Sequence, residues 1–214
     1  DDSARFNITP SNLTAGSETA VDSTSFGGGS YGNDPYGEPR PESTLGVPAT
    51  TWSMDQWGQY LLACSNADGK IYEWQLNTST IAAVLSNAPT GNTAIMVTDE
   101  RFVFALGAGG NPRKIQWSDR ENNNLWAAAA TNEAGSIELQ TSGVIQCGVR
   151  VQNQALILTT TDAHTATYSG PPYVYGVERV GTSCGCVSAQ GVAVVDMGAV
   201  WMGRESFFVY SGGT

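Results

Sequence analysis

Side chains that commonly serve as acids, bases or metal ligands are sparse in this chain. His164 is the only histidine, which excludes a site built from several histidines and leaves one candidate general base. It follows Asp162 by two residues in a segment rich in Thr and Ala. One interpretation pairs Asp162 and His164 functionally. The other, which the sequence favours, places both in an exposed turn.

Two carboxylates of one loop, Asp119 and Glu121, are the candidates for glycoside hydrolysis, which requires a facing pair of acids. Adjacency in sequence does not make them face a sugar, so a polar surface loop is the favoured interpretation. The chain contains no phosphate-binding loop of the Walker type. The glycine run at 107–110 indicates a hairpin turn. We therefore predict no enzyme activity, no catalytic residue, no metal and no cofactor.

The four cysteines do not have the spacing of a zinc site or of a dense disulfide framework. Only Cys184 and Cys186 are close in sequence, whereas Cys64 and Cys147 are far from them and from each other. We expect four free thiols in a reducing compartment.

Charge and composition exclude other classes of protein. Charged residues make up only 14% of the 214 residues, and the formal net charge is −10. A surface that binds nucleic acid needs Lys and Arg to neutralise phosphates, so specific DNA binding is not expected. No apolar run reaches the length of about 18 residues that a membrane-spanning helix needs, so we expect no membrane anchor.

Residues 1–50 differ from the rest of the chain because they are acidic and rich in Gly, Pro and Asn. Within them an aromatic residue precedes glycine at regular five-residue steps, at Phe26, Tyr31 and Tyr36. Gly and Pro at this density disfavour a helix or a central strand. Two interpretations remain open: a flexible tail, or an extended arm whose rings insert into the surface of a neighbouring subunit.

From residue 51 to 214, short apolar runs alternate with turn residues, which indicates β-strands. Four segments share one plan, an Asp or Asn in a tight turn followed by two strands of which the second ends in an aromatic residue. A further strand is expected before each of them, at 51–54, 94–98, 144–151 and 192–195. The four segments are Asp55–Trp74, Asp99–Trp117, Asn153–Tyr168 and Asp196–Tyr210.

The segments begin 44, 54 and 43 residues apart, close to the roughly 40 to 50 residues of a propeller blade. The longer interval predicts an insertion near 119–142, with a short helix at 124–131. We therefore predict an all-β fold of repeated antiparallel hairpins, a β-propeller in preference to a β-sandwich. Four repeats are the minimum for ring closure, so either the chain is a fragment or part of the ring comes from elsewhere.

The tryptophans of the repeats are expected to fill the core between blades, namely Trp74, Trp117 and Trp201. Trp126, in the expected insertion, is the one most available for contacts with another molecule. Together with Phe26, Tyr31 and Tyr36 it is a candidate assembly contact.

Four blocks of the sequence resemble virion structural proteins of tailed bacteriophages, notably the propeller-containing tail hub or nozzle proteins of short-tailed phages. They lie between about Ser25 and Thr214 and read SFGGGSYGNDPYGEPR, TWSMDQWGQYLLACSNADGKIYEW, RKIQWSDRENNNLW and DAHTATYSGPPYVYGVERVGTSCGC. The resemblance rests on their co-linear order, and proteins of that family are usually much longer than this chain.

The resemblance implies a mechanical role in the virion tail, in a protein made in the cytoplasm of a host bacterium. Copies would form a ring, of six in that family, and contact other tail, portal or adaptor proteins. DNA would pass through the ring without specific binding, for which an acidic wall is suited. The alternative is a carbohydrate-binding propeller for host recognition, which would expose equivalent aromatic residues along one rim.

Overall fold

Fifteen β-strands and one 3₁₀ turn, Ala108–Gly110, are the regular elements of residues 50–212, the part of the chain that the computed structural model describes. Most of the strands are short and rich in β-branched and aromatic residues, which fit a pleated surface. Within those residues no helix is long and apolar enough to cross a membrane. The all-β prediction is confirmed.

The strands form four antiparallel sheets in which neighbours in the chain are also neighbours in the sheet, a meander. The first sheet contains β1 (Trp52–Trp57), β2 (Tyr60–Ser65), β3 (Ile71–Trp74) and β4 (Ala83–Val84). The second contains β5 (Ala94–Val97), β6 (Val103–Leu106), β7 (Lys114–Trp117) and β8 (Gly135–Glu138). The third contains β9 (Ile145–Val151), β10 (Gln154–Thr159), β11 (Asp162–Gly170) and β12 (Val174–Thr182). In the described residues the fourth contains β13 (Val192–Val195), β14 (Gly198–Met202) and β15 (Phe207–Tyr210).

Each of the four predicted repeat segments contains an antiparallel hairpin, so that prediction is confirmed. The hairpins are β2–β3, β6–β7, β10–β11 and β14–β15. The strand expected before each hairpin is also present and pairs with the hairpin's first strand. The expected insertion at 119–142 contains the connection after β7 and also β8, so part of it is a regular fourth strand.

The short helix predicted for residues 124–131 is absent, and the segment forms turns instead. The side chain of Asn132 holds these turns, accepting a hydrogen bond from the Ala129 amide at 3.0 Å and donating one to the Ala127 carbonyl at 2.8 Å. An isolated helix of eight residues is marginal in water, and an alanine run has no broad apolar stripe to pack. Local hydrogen bonds therefore outweigh the helix propensity of alanine.

Three apolar clusters fill the spaces between successive sheets. Because side chains alternate along a strand, neighbouring residues of β10 enter different clusters. Ile157 joins the cluster shared with the second sheet, whereas Leu156 and Leu158 join the one shared with the fourth. The third sheet is therefore buried on both faces, like the second, and the four sheets stack in chain order.

The cluster between the second and third sheets is the richest in aromatic residues. The ring of Tyr175 lies 4.8 Å from Phe104 and 5.2 Å from Phe102, in edge-to-face geometry with both. Trp117 lies 5.5 Å from the same tyrosine ring. Such pairs stabilise a core beyond the apolar area that they bury.

The first strands of successive sheets lie beside one another, with β1 against β5, β5 against β9 and β9 against β13. The Ser53 hydroxyl of β1 accepts a hydrogen bond from the Ile95 amide at 2.8 Å. The Asp55 carboxylate accepts one from the Val97 amide at 2.7 Å. These amides point away from β6, at the edge of the second sheet that is formed by β5. Two side chains of the first sheet therefore supply hydrogen-bond acceptors for that edge.

Candidate functional site

Asp162 and His164, the one acid–base pair suggested by the sequence, lie in a strand and not in the exposed turn that was expected. The turn consists of Thr160 and Thr161, and β11 begins directly after it. Both side chains point to the face of the third sheet that packs on the second, because His164 pairs with Ile157 across the ladder. They are 6% and 3% exposed respectively. The expectation of a solvated turn is therefore wrong.

Threonine hydroxyls surround the carboxylate of Asp162. Its Oδ1 accepts hydrogen bonds from Thr141 at 2.9 Å, from Thr159 at 3.3 Å and from Thr161. Its Oδ2 lies 3.7 Å from Nε2 of His164 and 3.8 Å from the guanidinium of Arg179. We call Asp162, His164 and these three threonines the buried polar cluster.

Electrostatics keep the two members of this pair in fixed protonation states near neutral pH. Burial alone would raise the pKa of Asp162, but the hydrogen bonds from Thr161 and Thr141, the neighbouring His164 and the Thr159 hydroxyl together lower it. Burial lowers the pKa of His164, and it outweighs the opposite effect of Asp162, while Arg179 lowers the pKa further. The carboxylate is therefore ionised and the imidazole neutral at pH 7.

The chemistry of the buried polar cluster is that of a structural hydrogen-bond network. Nε2 of His164 is fully buried and has no hydrogen-bond partner. A general base must reach the proton that it abstracts from a substrate, and this nitrogen is closed off. The cluster instead joins the connection between β8 and β9, through Thr141, to the turn between β10 and β11.

Asp119 and Glu121, the candidate carboxylates for hydrolysis, lie in the loop between β7 and β8. The Asp119 carboxylate accepts a hydrogen bond from the Glu133 amide at 2.8 Å, which fixes the loop between β7 and β8. Glu121 has a left-handed backbone, with φ of 55°, and its amide donates to the Arg101 carbonyl. Asp119 thus holds the loop in place, and Glu121 lies in a turn of the same loop.

Trp126 is buried, at 4% exposure, which contradicts its expected role as an available contact residue. Its indole N–H donates to the Asn123 carbonyl at 2.7 Å, and its own carbonyl accepts from Gln116 at 3.2 Å. Its ring joins the cluster between the first and second sheets. Burial of this large ring against the core is favourable, so the polar loop that carries it folds back onto the first two sheets. The other candidate contacts, Phe26, Tyr31 and Tyr36, lie outside the described residues.

The tryptophans of the repeats follow the prediction in two cases of three. Trp117 and Trp201 are buried, at 5% and 4% exposure, in the clusters on the two faces of the third sheet. Trp74 is only partly buried, and its indole donates to the Asn77 carbonyl at 3.2 Å. It lies on the face of the first sheet that points away from the second.

A second charged cluster, which the sequence did not reveal, connects three sheets. Arg150 of β9 lies 3.0 Å from the Asp55 carboxylate of β1 and 3.8 Å from the Asp99 carboxylate, in the turn after β5. We call these three residues the rim cluster. Asp55 was expected in a tight turn, but it lies within β1, ahead of the turn at Gly58. Asp is disfavoured in the middle of a strand unless its carboxylate has partners, so an Asp at this position indicates that such partners exist.

A small open cleft of about 220 Å³ adjoins the rim cluster. Its lining includes Asp99, Glu100 and Arg150 together with the aromatic side chains of Tyr168 and Tyr175. The Tyr175 hydroxyl bonds to Thr98 at 2.8 Å and donates to Glu100 at 3.1 Å. These two hydrogen bonds fix the Tyr175 hydroxyl in the lining of the cleft.

All four cysteines are free and buried, which confirms the prediction of free thiols. Three of them, Cys147, Cys184 and Cys186, lie in the cluster between the third and fourth sheets. A hydrogen bond with Cys147 lowers the pKa of Cys186 to about 6, and the same contact raises the pKa of Cys147. Burial raises the pKa of Cys64 to about 12.

Residues 50–212 contain no group of three or more His, Cys, Asp and Glu side chains that could hold a metal ion. No protein-family model matches the chain, and no curated protein matches it.

Proposed function

We propose that the chain is a non-enzymatic structural component of a bacteriophage tail, a hub, nozzle or connector-associated ring protein. In this role it assembles with copies of itself and with other tail proteins to form or seal the channel for DNA ejection. The observation that carries the structural part is the serial stacking of four meander sheets with their first strands side by side. Virion localisation derives from the sequence resemblance.

The stacking supports a propeller arrangement over a sandwich. A β-sandwich packs two sheets face to face, and each sheet leaves its other face to solvent. Here the second and third sheets are each covered on both faces by other sheets of the same chain. Blades of a propeller have this relation, with four antiparallel strands each and the first strand innermost.

The location of the aromatic residues favours a scaffold over the alternative, a carbohydrate-binding module. Sugar recognition would need exposed rings at equivalent places on successive sheets. Trp117 and Trp201 instead lie inside the inter-sheet clusters. The buried polar cluster likewise has the properties of a network that holds the fold and not of a catalytic centre.

Charge supports a channel that conducts DNA without retaining it. The chain carries 20 acidic and 10 basic residues. Contacts between cations and phosphates would slow the passage of DNA, so a wall with few unpaired cations is favourable. Arg150 and Arg113, both half-exposed, are paired with carboxylates.

Deletion of the coding sequence from the replicon that carries it tests the virion role. We expect particles that retain full heads but lack a complete tail by electron microscopy, and the infectious titre should fall to background. Expression of the chain in trans should restore both. Normal tails and a normal titre in the deletion strain would refute the proposal. Binding of the purified chain to a glycan array would support the carbohydrate alternative instead.

A further inference from the structure

One face of the fourth sheet is apolar and uncovered. The strand registers place six side chains on the face that points away from the third sheet. We call this surface the open face, and it consists of Ala193, Val195, Val200, Met202, Phe207 and Val209. Phe207 is 75% exposed and Val209 is 60% exposed. None of the six side chains is polar.

The apolar character of the open face differs from the pattern of a sheet whose outer face is exposed to solvent. An antiparallel sheet with one wet face alternates apolar and polar residues along each strand. In β14 and β15 both faces are apolar, because Trp201 and Phe208 pack on the third sheet while Met202 and Val209 point outward. A sheet that is apolar on both faces is a middle sheet, like the second and third. Contiguous exposed apolar patches on a protein commonly mark interaction surfaces.

The first sheet, at the other end of the stack, also has an apolar face that points away from its neighbour. Its back face, the one that points away from the second sheet, is mainly apolar. It carries Trp52, Met54, Leu61, Ala63, Tyr72 and Trp74 together with the polar residues Gln56 and Ser65. Met54 is 61% exposed, and the rings of Trp52 and Tyr72 lie 6.1 Å apart. The sequence therefore supplies an apolar surface at each end of the four-sheet stack.

We propose that the open face of the fourth sheet binds the back face of the first sheet in a second copy of this chain. Each of the three internal interfaces joins the forward face of one sheet to the back face of the next. Of the described sheets, the fourth has an unmatched forward face and the first has an unmatched back face. A second copy placed head to tail continues the same packing with surfaces of the same chemistry.

The chemistry of the open face excludes a nucleic acid or a sugar as its partner. A nucleic acid or a sugar needs cations or hydrogen-bonding side chains, and the face has neither. The contact joins two different surfaces, so it is heterologous and generates either a closed ring or an open chain of copies. This inference concerns only the self-assembly part of the proposed function, and it holds whether or not the chain belongs to a virion.

The mass of the purified 214-residue chain in solution, measured by light scattering after size exclusion, tests the contact. We expect a mass above that of one chain at micromolar concentrations, with a single value for a closed ring and a series of values for open chains. Val209→Glu on the open face and Met54→Glu on the back face should each weaken self-association on the order of 100-fold or more, because a charge would be buried without a partner. Each variant alone should therefore be a monomer.

A mixture of the two variants distinguishes the proposed geometry from others. Val209→Glu leaves the back face intact and Met54→Glu leaves the open face intact, so the mixture retains one good interface and should form a dimer with one copy of each. The control is Ile81→Glu, which changes an exposed apolar residue in the loop between β3 and β4 and should leave the oligomer unchanged. Circular dichroism should show unchanged β-structure in all three variants.

Three results would overturn the inference. The wild-type chain could be a monomer at these concentrations. Met54→Glu could have no effect while Val209→Glu abolishes association, which would indicate a symmetric contact between two open faces. The mixture of variants could remain monomeric. None of these three results would decide the proposed virion role, which the deletion experiment tests separately.

Discussion

Asp55 and Asp162 are both carboxylates that connect parts of neighbouring sheets, yet their surroundings differ. In the rim cluster the side chain of Arg150 is 44% exposed, so water screens its attraction to Asp55. In the buried polar cluster the side chain of Asp162 is only 8% exposed, and three hydroxyls donate to it. The Asp55 carboxylate, whose side chain is 16% exposed, has a charged partner that is half-exposed to water. The Asp162 carboxylate has mainly neutral donors in the interior.

From this comparison we expect burial and donor geometry, more than formal charge, to decide how much a carboxylate stabilises this fold. A buried carboxylate without its hydrogen bonds is costly, whereas an exposed ion pair contributes little. Asp55 has one buried partner, the amide of Val97, and that bond is expected to contribute more than its contact with Arg150. The predictions below test this ranking from the largest effect to the smallest.

Asp162→Ala is expected to have the largest effect, lowering the free energy of unfolding by about 2 to 4 kcal/mol. The substitution removes the common acceptor of Thr141, Thr159 and Thr161 and leaves their hydroxyls poorly satisfied in the interior. Urea denaturation followed by tryptophan fluorescence measures the change. The control is Glu205→Ala, an exposed acid in the turn between β14 and β15, which should change stability by less than about 0.5 kcal/mol. Equal effects of the two substitutions would contradict the ranking.

The buried polar cluster should also make stability depend on pH. The folded chain lowers the pKa of His164, so below its ordinary value of about 6.5 the unfolded chain binds more protons. The stability linked to His164 is therefore complete above that pH and declines as the pH falls toward the folded pKa. The pKa of Asp162 is also lowered, so its contribution is complete above about 3.9 and is lost at lower pH.

His164→Asn isolates the first of these two effects, since the chain has no other histidine. Urea midpoints measured from pH 7 down to pH 4.5 should decline less steeply in this variant than in the wild-type chain. Identical slopes would show that His164 is not held neutral by the fold.

The hairpins could be predicted from the sequence because their information is local. Short apolar runs define strands such as β6 and β10, and turn residues such as Asp68 and Gly69, between β2 and β3, mark where strands end. The strand before each hairpin was predictable for the same reason. The stacking order of the sheets was expected only through the repeat length, which carries no information on which side chains meet.

The rim cluster could not be predicted because its members are distant in sequence, with Arg150 two sheets away from Asp55. The proximity of Asp162 and His164 could be seen in the sequence, but their burial and the hydrogen bond from Thr141 could not. Trp126 was misplaced for a similar reason, since the core that buries its ring is formed by other segments. Local pattern predicted a polar loop there, but it could not show that the loop folds back onto the first two sheets.

Asp55→Ala should have an intermediate effect and lower the free energy of unfolding by about 1 to 2 kcal/mol. It removes the acceptor of the Val97 amide, on the edge of β5 to which no described strand is hydrogen-bonded. The matched variant is Asp55→Asn, whose amide oxygen can still accept that hydrogen bond but whose charge is lost. We expect Asp55→Asn to restore most of the stability in the same urea assay. If both substitutions were equally destabilising, the ion pair with Arg150 would be the important contact.

Arg150→Met should have the smallest effect, because it removes only the exposed half of the rim cluster. Met keeps much of the apolar stem of the arginine, so the change isolates the guanidinium with its contacts to Asp55 and Asp99. Exposed ion pairs usually contribute about 0.2 to 1 kcal/mol, and salt screens them. The difference between Arg150→Met and wild type should thus be below about 1 kcal/mol at low ionic strength and should shrink when salt is added. An effect as large as that of Asp162→Ala, or one insensitive to salt, would mean that the arginine holds the three sheets together through more than charge, and the contrast between the two clusters would no longer stand.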